Sequence, residues 1–141
     1  NDVLNIYKEV FNKREGKNAF IILGYEGMDE ISTEGENFIY SNVYGEKIFN
    51  PVDLKLKEPI KSELIGDDPN YNANRIIDIF TGKKDSFYEI VSINAAFAFL
   101  LSSNEEPNTK NINKYYELAR SIIDTGSAEN KLKDLISFSN K

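Results

Sequence analysis

With 141 residues, 17 Lys+Arg against 23 Asp+Glu and a pI near 4.8, the chain is acidic and long enough to bury one core; it contains no Cys, no His and no Trp. The missing Cys and His exclude a disulfide framework, an Fe–S cluster, a thiolate nucleophile, a Ser-His-Asp triad and a His-ligated zinc within this chain. The net charge of -6 argues against a nucleic-acid partner, whose phosphates demand clustered Lys and Arg, and no apolar run approaches the roughly 20 residues of a membrane span.

Asp2 is a candidate N-cap, and Val3, Leu4, Ile6, Tyr7, Val10 and Phe11 trace one face of a helix that fades at Lys13-Arg14-Glu15 and stops at Gly16. No signal peptide is legible in this opening. Ala19-Phe20-Ile21-Ile22-Leu23 is an unbroken apolar run, the pattern of a strand buried on both faces in a parallel or mixed sheet. A glycine-punctuated polar loop, Gly24 to Glu36, leads to two short strands, 37–40 and 46–49, with Tyr44-Gly45 near the hairpin turn. Residues 50–68 carry Pro51, Pro59 and Gly66 and read as loops with a short helix around Ile60–Leu64.

The C-terminal half reads as helical. Asp68-Pro69 is an N-cap followed by proline at the first helical position; Ile76, Ile77, Ile79 and Phe80 form the apolar face and Gly82 ends the helix. Asp85 to about Ser103 is a long helix whose middle, Ile93 to Leu101, is apolar nearly all round and so belongs at the centre of the fold. After a polar linker, Ile112 to Thr125 forms another helix ending at Gly126. Ser127 caps a last helix with Leu132, Leu135, Ile136 and Phe138 on its inner face. The fold class is therefore α/β: one buried strand and a β-hairpin packed with five or six helices in a single segment, residues 1–141. A lone buried strand needs neighbours that this sequence does not supply, so an upstream part of a longer protein is expected to complete the sheet.

Gly24-Tyr25-Glu26-Gly27-Met28-Asp29-Glu30-Ile31-Ser32-Thr33 is the one stretch with chemistry in it. It follows the carboxyl end of the apolar strand, where open α/β sheets bind ligands. The adjacent carboxylates Asp29 and Glu30 are hard oxygen ligands of the kind Mg²⁺ takes beside waters and phosphate oxygens. Ser32 and Thr33 are possible hydroxyl donors. The competing reading is a solvated turn. Gly66-Asp67-Asp68-Pro69 is explained by its capping role, and Asn94, an amide inside the apolar helix, by a link to a neighbouring loop.

GYEGMDEIS after an apolar strand resembles the corresponding segment of the anthranilate phosphoribosyltransferases, of the glycosyltransferase-3/nucleoside phosphorylase superfamily. Four further segments agree in order. Asn50-Pro51-Val52-Asp53-Leu54-Lys55-Leu56 is similar to an xPxDxGL stretch, and Gly66 to Ala73 to GGDPxxNA. Ile93 to Phe99 is similar to LNAAxAL, and Ala119 through Leu135 to A…IDSGxAxxKLxxL. The departures are Leu23, where the family often has His, and Asp67, where a second glycine is usual. The resemblance implies the C-terminal portion of the family's large α/β domain, without the helical domain and the glycine-rich phosphate loop. It implies Mg²⁺-dependent transfer of a phosphoribosyl group from phosphoribosyl pyrophosphate to anthranilate in tryptophan biosynthesis, in the cytoplasm, by a homodimer. The family's metal-binding acidic pair carries over to Asp29 and Glu30. No catalytic residue carries over, and the chain alone is expected to be inactive. A superfamily member with another acceptor, such as a nucleoside phosphorylase, and a non-catalytic binding module are the alternatives.

Overall fold

The computed structural model describes residues 2–140. The chain runs α1 (Asp2–Lys13), β1 (Phe20–Leu23), β2 (Asn37–Ser41), β3 (Gly45–Phe49), α2 (Lys61–Leu64), α3 (Pro69–Phe80), α4 (Ser86–Ser103), α5 (Thr109–Asp124) and α6 (Ser127–Ser139). Short 3-10 turns occupy Tyr25–Gly27 and Pro51–Leu54.

The three strands form one sheet in the order β1-β2-β3, antiparallel throughout, with Ile22 opposite Ile39 and Ile39 opposite Lys47. This corrects the expectation of a parallel or mixed sheet buried on both faces. The loop after β1 turns the chain straight back, so β2 lies beside β1 in the opposite direction. β1 itself is only half-buried, and Leu23 at its end is 42% exposed. Its second edge has no strand partner among the described residues. The β2–β3 hairpin closes through 42–44 with Gly45 at φ 73, the left-handed position a three-residue hairpin loop requires. The Ser41 hydroxyl accepts from the amides of Val43 and Tyr44 at 3.2 and 3.1 Å.

α4 lies at the centre, as its composition predicts. Ile93, Ala96, Phe97 and Leu100 meet Ile112, Tyr115 and Tyr116 of α5 on one side and Ile31, Ile39 and Phe49 on the other. The Phe97 ring packs edge-on against Phe20 and Phe49, with centroids 6.4 and 5.6 Å apart. By length and composition this 18-residue helix is apolar enough to cross a membrane, but its apolar side chains line this core. Ile79, Tyr88 and Ile123 form a second cluster that joins α3, α4 and α5. On the outer face of the sheet, α1 lays Lys8 over the rings of Phe38 and Tyr40, 5.1 and 5.0 Å from their centroids.

The helix caps follow local chemistry. Asp68 accepts from the Tyr71 amide at 2.8 Å ahead of Pro69, and Asp85 accepts from the amides of Phe87 and Tyr88 at 3.1 Å each. α5 begins earlier than its apolar pattern suggests, because Asn108 caps it at the amide of Asn111. α6 is capped at Gly126, φ 76, and not by Ser127, since the left-handed turn that ends α5 already opens α6. The predicted inner face of α6 is also corrected: Leu132 is half-buried, but Leu135, Ile136 and Phe138 are exposed. The same holds for Val3, Ile6, Tyr7 and Val10 on α1. Amphipathic spacing shows which face is apolar, but nothing described in this chain covers these two faces. The proposed cap of α1 is not tested: Asp2 is the first described residue and already helical, and Asn1 lies outside the described residues.

Candidate metal-binding loop

From Leu23 the chain passes through Gly24 into a tight turn in which Glu26 and Gly27 are left-handed, φ 54 and 84. The Gly24 amide donates to the Met28 carbonyl at 2.9 Å, and the Gly24 carbonyl accepts from the Gly27 amide at 3.0 Å. Neither Gly24 nor Gly35 has room for a side chain. A Cβ on Gly24 would stand 2.1 Å from the Glu30 carbonyl oxygen, and one on Gly35 would stand 2.1 Å from the Tyr25 ring. The loop thus folds back onto its own start.

Past the turn, two successive residues are locked from below. Ile31 is fully buried in the main core; its amide donates to Asn94 Oδ1 at 2.9 Å and its carbonyl accepts from Asn94 Nδ2 at 2.8 Å. The Ser32 amide donates to Asn37 Oδ1 at 2.7 Å, and Asn37 Nδ2 returns to the Ser32 carbonyl at 3.0 Å. The Ser32 hydroxyl accepts from the Glu34 amide at 2.9 Å. Thr33 is buried too, and its hydroxyl has no partner among the described residues. The Ser32 hydroxyl is therefore engaged within the loop, whereas Thr33 stands at the wall of a cleft beside it.

Asp29 and Glu30 sit side by side on the exposed rim of this pinned backbone. Among the described residues, no group of three His, Cys, Asp or Glu side chains comes together, so this chain offers two carboxylates and no closed cage. That donor set suits Mg²⁺, which keeps several waters and completes its shell with substrate phosphates. A Ca²⁺-type site would need many more protein oxygens.

Asn94 emerges as the link to a loop that its position inside an apolar helix predicts. Asn37 carries a weaker sequence signal, that of a polar residue opening an otherwise apolar strand. The Arg75–Asp85 ion pair, 2.8 Å, has none, because Asp85 reads simply as a cap. A cleft of about 430 Å³ runs between residues 54–60 and the α4–α5 pair. Several of its polar side chains are already paired, the Tyr116 hydroxyl with Glu89, Lys84 with Asp124 at 2.6 Å and Glu63 with the Ser86 hydroxyl at 2.6 Å, while the Thr33 hydroxyl at its wall has no partner among the described residues. Burial first, then the bond to Glu89, pushes the Tyr116 hydroxyl well above the usual tyrosine range.

Residues 1–129 match the family described as glycosyl transferase family, a/b domain. The chain belongs to this family. Within the glycosyl transferase family it is 32% identical over 136 residues to anthranilate phosphoribosyltransferase from Pelagibacter ubique, covering 94% of this chain and 40% of that protein. Against the same enzyme from Desulforamulus reducens the identity is 33% over 141 residues, 98% of this chain and 40% of the relative. The chain therefore spans about two fifths of the length of the curated relatives it matches. Its fold is that of a solved anthranilate phosphoribosyltransferase from Thermus thermophilus: TM-score 0.77 at 24% identity, over 89% of this chain and 37% of that one. A structure of the Saccharomyces cerevisiae enzyme in complex with PRPP and Mg matches with a TM-score of 0.73 at 23% identity, over 84% of this chain and 33% of that one. The α/β assignment holds, as part of the α/β domain of this glycosyl transferase family.

Proposed function

We propose that this chain supplies the metal-holding edge of a phosphoribosyl transfer site, with Asp29 and Glu30 as the protein ligands of Mg²⁺. The observation that carries this is the contrast along four residues. Asp29 and Glu30 are exposed, while the main chain of Ile31 and Ser32 immediately after them is clamped by two side-chain amides, the half-buried Asn94 and the fully buried Asn37. Fixed backbone with free hard carboxylates is preorganised for a small divalent cation and poorly explained by a solvated turn.

In the transfer, the anthranilate amine nitrogen forms a bond to ribose C1 and gives up one proton to solvent, as the bond from C1 to the pyrophosphate oxygen breaks and pyrophosphate leaves. When bound, Mg²⁺ offsets negative charge on the departing pyrophosphate. The residues of this chain set where that positive charge sits: Asp29 and Glu30 hold the cation, and Ile31 and Ser32 keep them in place. The names of the relatives support anthranilate as acceptor over a nucleoside phosphorylase-like alternative.

The rest of the site lies outside this chain. The unpaired edge of β1 and the exposed apolar face of α1 suit the remainder of the α/β domain, and the two-fifths coverage of the relatives leaves room for it. Turnover by this chain alone is therefore expected to be absent. Calorimetric titration with phosphoribosyl pyrophosphate, with and without Mg²⁺, on the wild type and on Asp29→Asn/Glu30→Gln tests the assignment. Mg²⁺-dependent binding that disappears in the double variant supports it; equal binding by both proteins sinks it. If neither binds, the titration is repeated with an upstream segment of a relative added as a second chain, and continued silence rejects the assignment.

A further inference from the structure

We propose that Asn94 is a positioning residue for the acidic pair, setting the direction of Asp29 and Glu30 from inside α4; the role rests on the metal-loop reading above. An asparagine half-buried in the middle of an apolar core helix carries a cost in helix propensity and in amide hydration unless its polar atoms are used. Here both hydrogens of Asn94 Nδ2 are used, one on the Ile90 carbonyl one turn back at 2.8 Å and one on the Ile31 carbonyl at 2.8 Å, and Oδ1 accepts from the Ile31 amide at 2.9 Å. The bond to Ile90 locks the side chain onto its own helix. The other two bonds grip one loop residue, 63 positions earlier, in the manner of a strand pair.

The gripped residue is the one next to Glu30. The peptide group joining Glu30 to Ile31 donates its N–H to Asn94, and its oxygen lies so close to Gly24 that no Cβ fits there. The Ile31 side chain sets how deep the loop sits, but apolar packing is non-directional. A fixed peptide plane sets the main-chain direction from which the two carboxylates before it project. Hydrogen-bonded partners behind a ligand commonly govern metal affinity in this way.

The test uses this chain and Mn²⁺ as the probe, with free ion counted by electron paramagnetic resonance. Asn94→Asp keeps an acceptor for the Ile31 amide but turns an oxygen toward the carbonyls of Ile31 and Ile90; Asn94→Ala removes the clamp. Both are expected to weaken Mn²⁺ binding by about tenfold or more. Neither should change the residual binding once Asp29→Asn/Glu30→Gln is already present. Amide exchange of the metal-free Asn94→Ala protein supplies a second readout: Ile31 loses its protection while Ile39 in β2 and Phe97 in α4 keep theirs. Unchanged Mn²⁺ affinity in both Asn94 variants overturns the proposal, and so does protection lost uniformly across α4 and β2, which would make Asn94 an ordinary stabilising residue. If Asp29→Asn/Glu30→Gln binds Mn²⁺ as the wild type does, the metal-loop reading fails and this role with it. If the pair matters and Asn94 does not, this proposal alone fails.

Discussion

Gly24 lies directly beneath the main-chain oxygen of Glu30, close enough that a methyl group on Gly24 would sit 2.1 Å from it. The contact is backbone on backbone, so no side chain can swing away to relieve it. Gly24→Ala is therefore expected to displace the loop and to cost about 1–3 kcal/mol, the usual range for overpacking. Urea denaturation measures the cost, and amide exchange should place the lost protection at 28–32. A stability within experimental error of wild type would show that the loop yields freely.

Asn37 is fully buried and serves three carbonyls, those of Ser32, Gly35 and Phe49, besides accepting from the Ser32 amide. Its removal leaves several buried main-chain groups without partners, at about 1–3 kcal/mol each where no water enters. Asn37→Ala should be among the most destabilising polar-to-alanine changes in the chain. Asn113→Ala, on the exposed side of α5, should be close to neutral. Thermal unfolding of the two variants side by side decides it.

Asp85 joins α3 to α4: one oxygen caps α4 and the other accepts from Arg75 at 2.8 Å, with both side chains nearly buried. Burial pushes the Asp85 carboxyl up, but the Arg75 hydrogen bond, the Tyr88 amide and the Arg75 charge together outweigh it and hold the group below its ordinary value of 3.8. A depressed carboxyl contributes stability that is fully present above the unfolded pKa and is lost as pH falls through the folded one. The melting temperature should therefore drop as the pH is lowered past about 4, and Asp85→Asn should flatten that slope. At neutral pH the same variant takes the Asp85 charge from Arg75 but leaves it Asp78 at 3.7 Å and the Glu63 carbonyl at 3.1 Å, so the cost should be about 1–3 kcal/mol. An unchanged acid slope in Asp85→Asn would assign the pH dependence to other carboxylates.

The exposed apolar side chains of α1, with Val3 at 65%, Ile6 at 62% and Val10 at 45% exposure, predict self-association of the isolated chain. Ile6→Ser/Val10→Ser should reduce it in sedimentation velocity while changing stability by no more than about 0.5 kcal/mol per site, because these side chains bury little in this chain. A monomeric wild type at all concentrations would contradict the prediction.

Local chemistry alone determined the helices and the hairpin. Asp68-Pro69, the apolar run of α4 and the Tyr44-Gly45 turn each have short-range causes that act within a few residues, so they are readable in order along the chain. The acidic pair was readable for the same reason: Asp29 and Glu30 are neighbours in the sequence after an apolar run. Strand direction was not, because Phe20-Ile21-Ile22-Leu23 is equally apolar whichever way its neighbour runs; the turn-back through Gly24 to Glu36 decided it. The exposure of α1 and α6 was not either, since periodicity identifies an apolar face but not whether anything covers it. The bonds that pin the loop depend on tertiary structure. Asn94 and Ile31 are 63 residues apart, and hydrogen bonds across that separation exist only once α4 has packed under the loop.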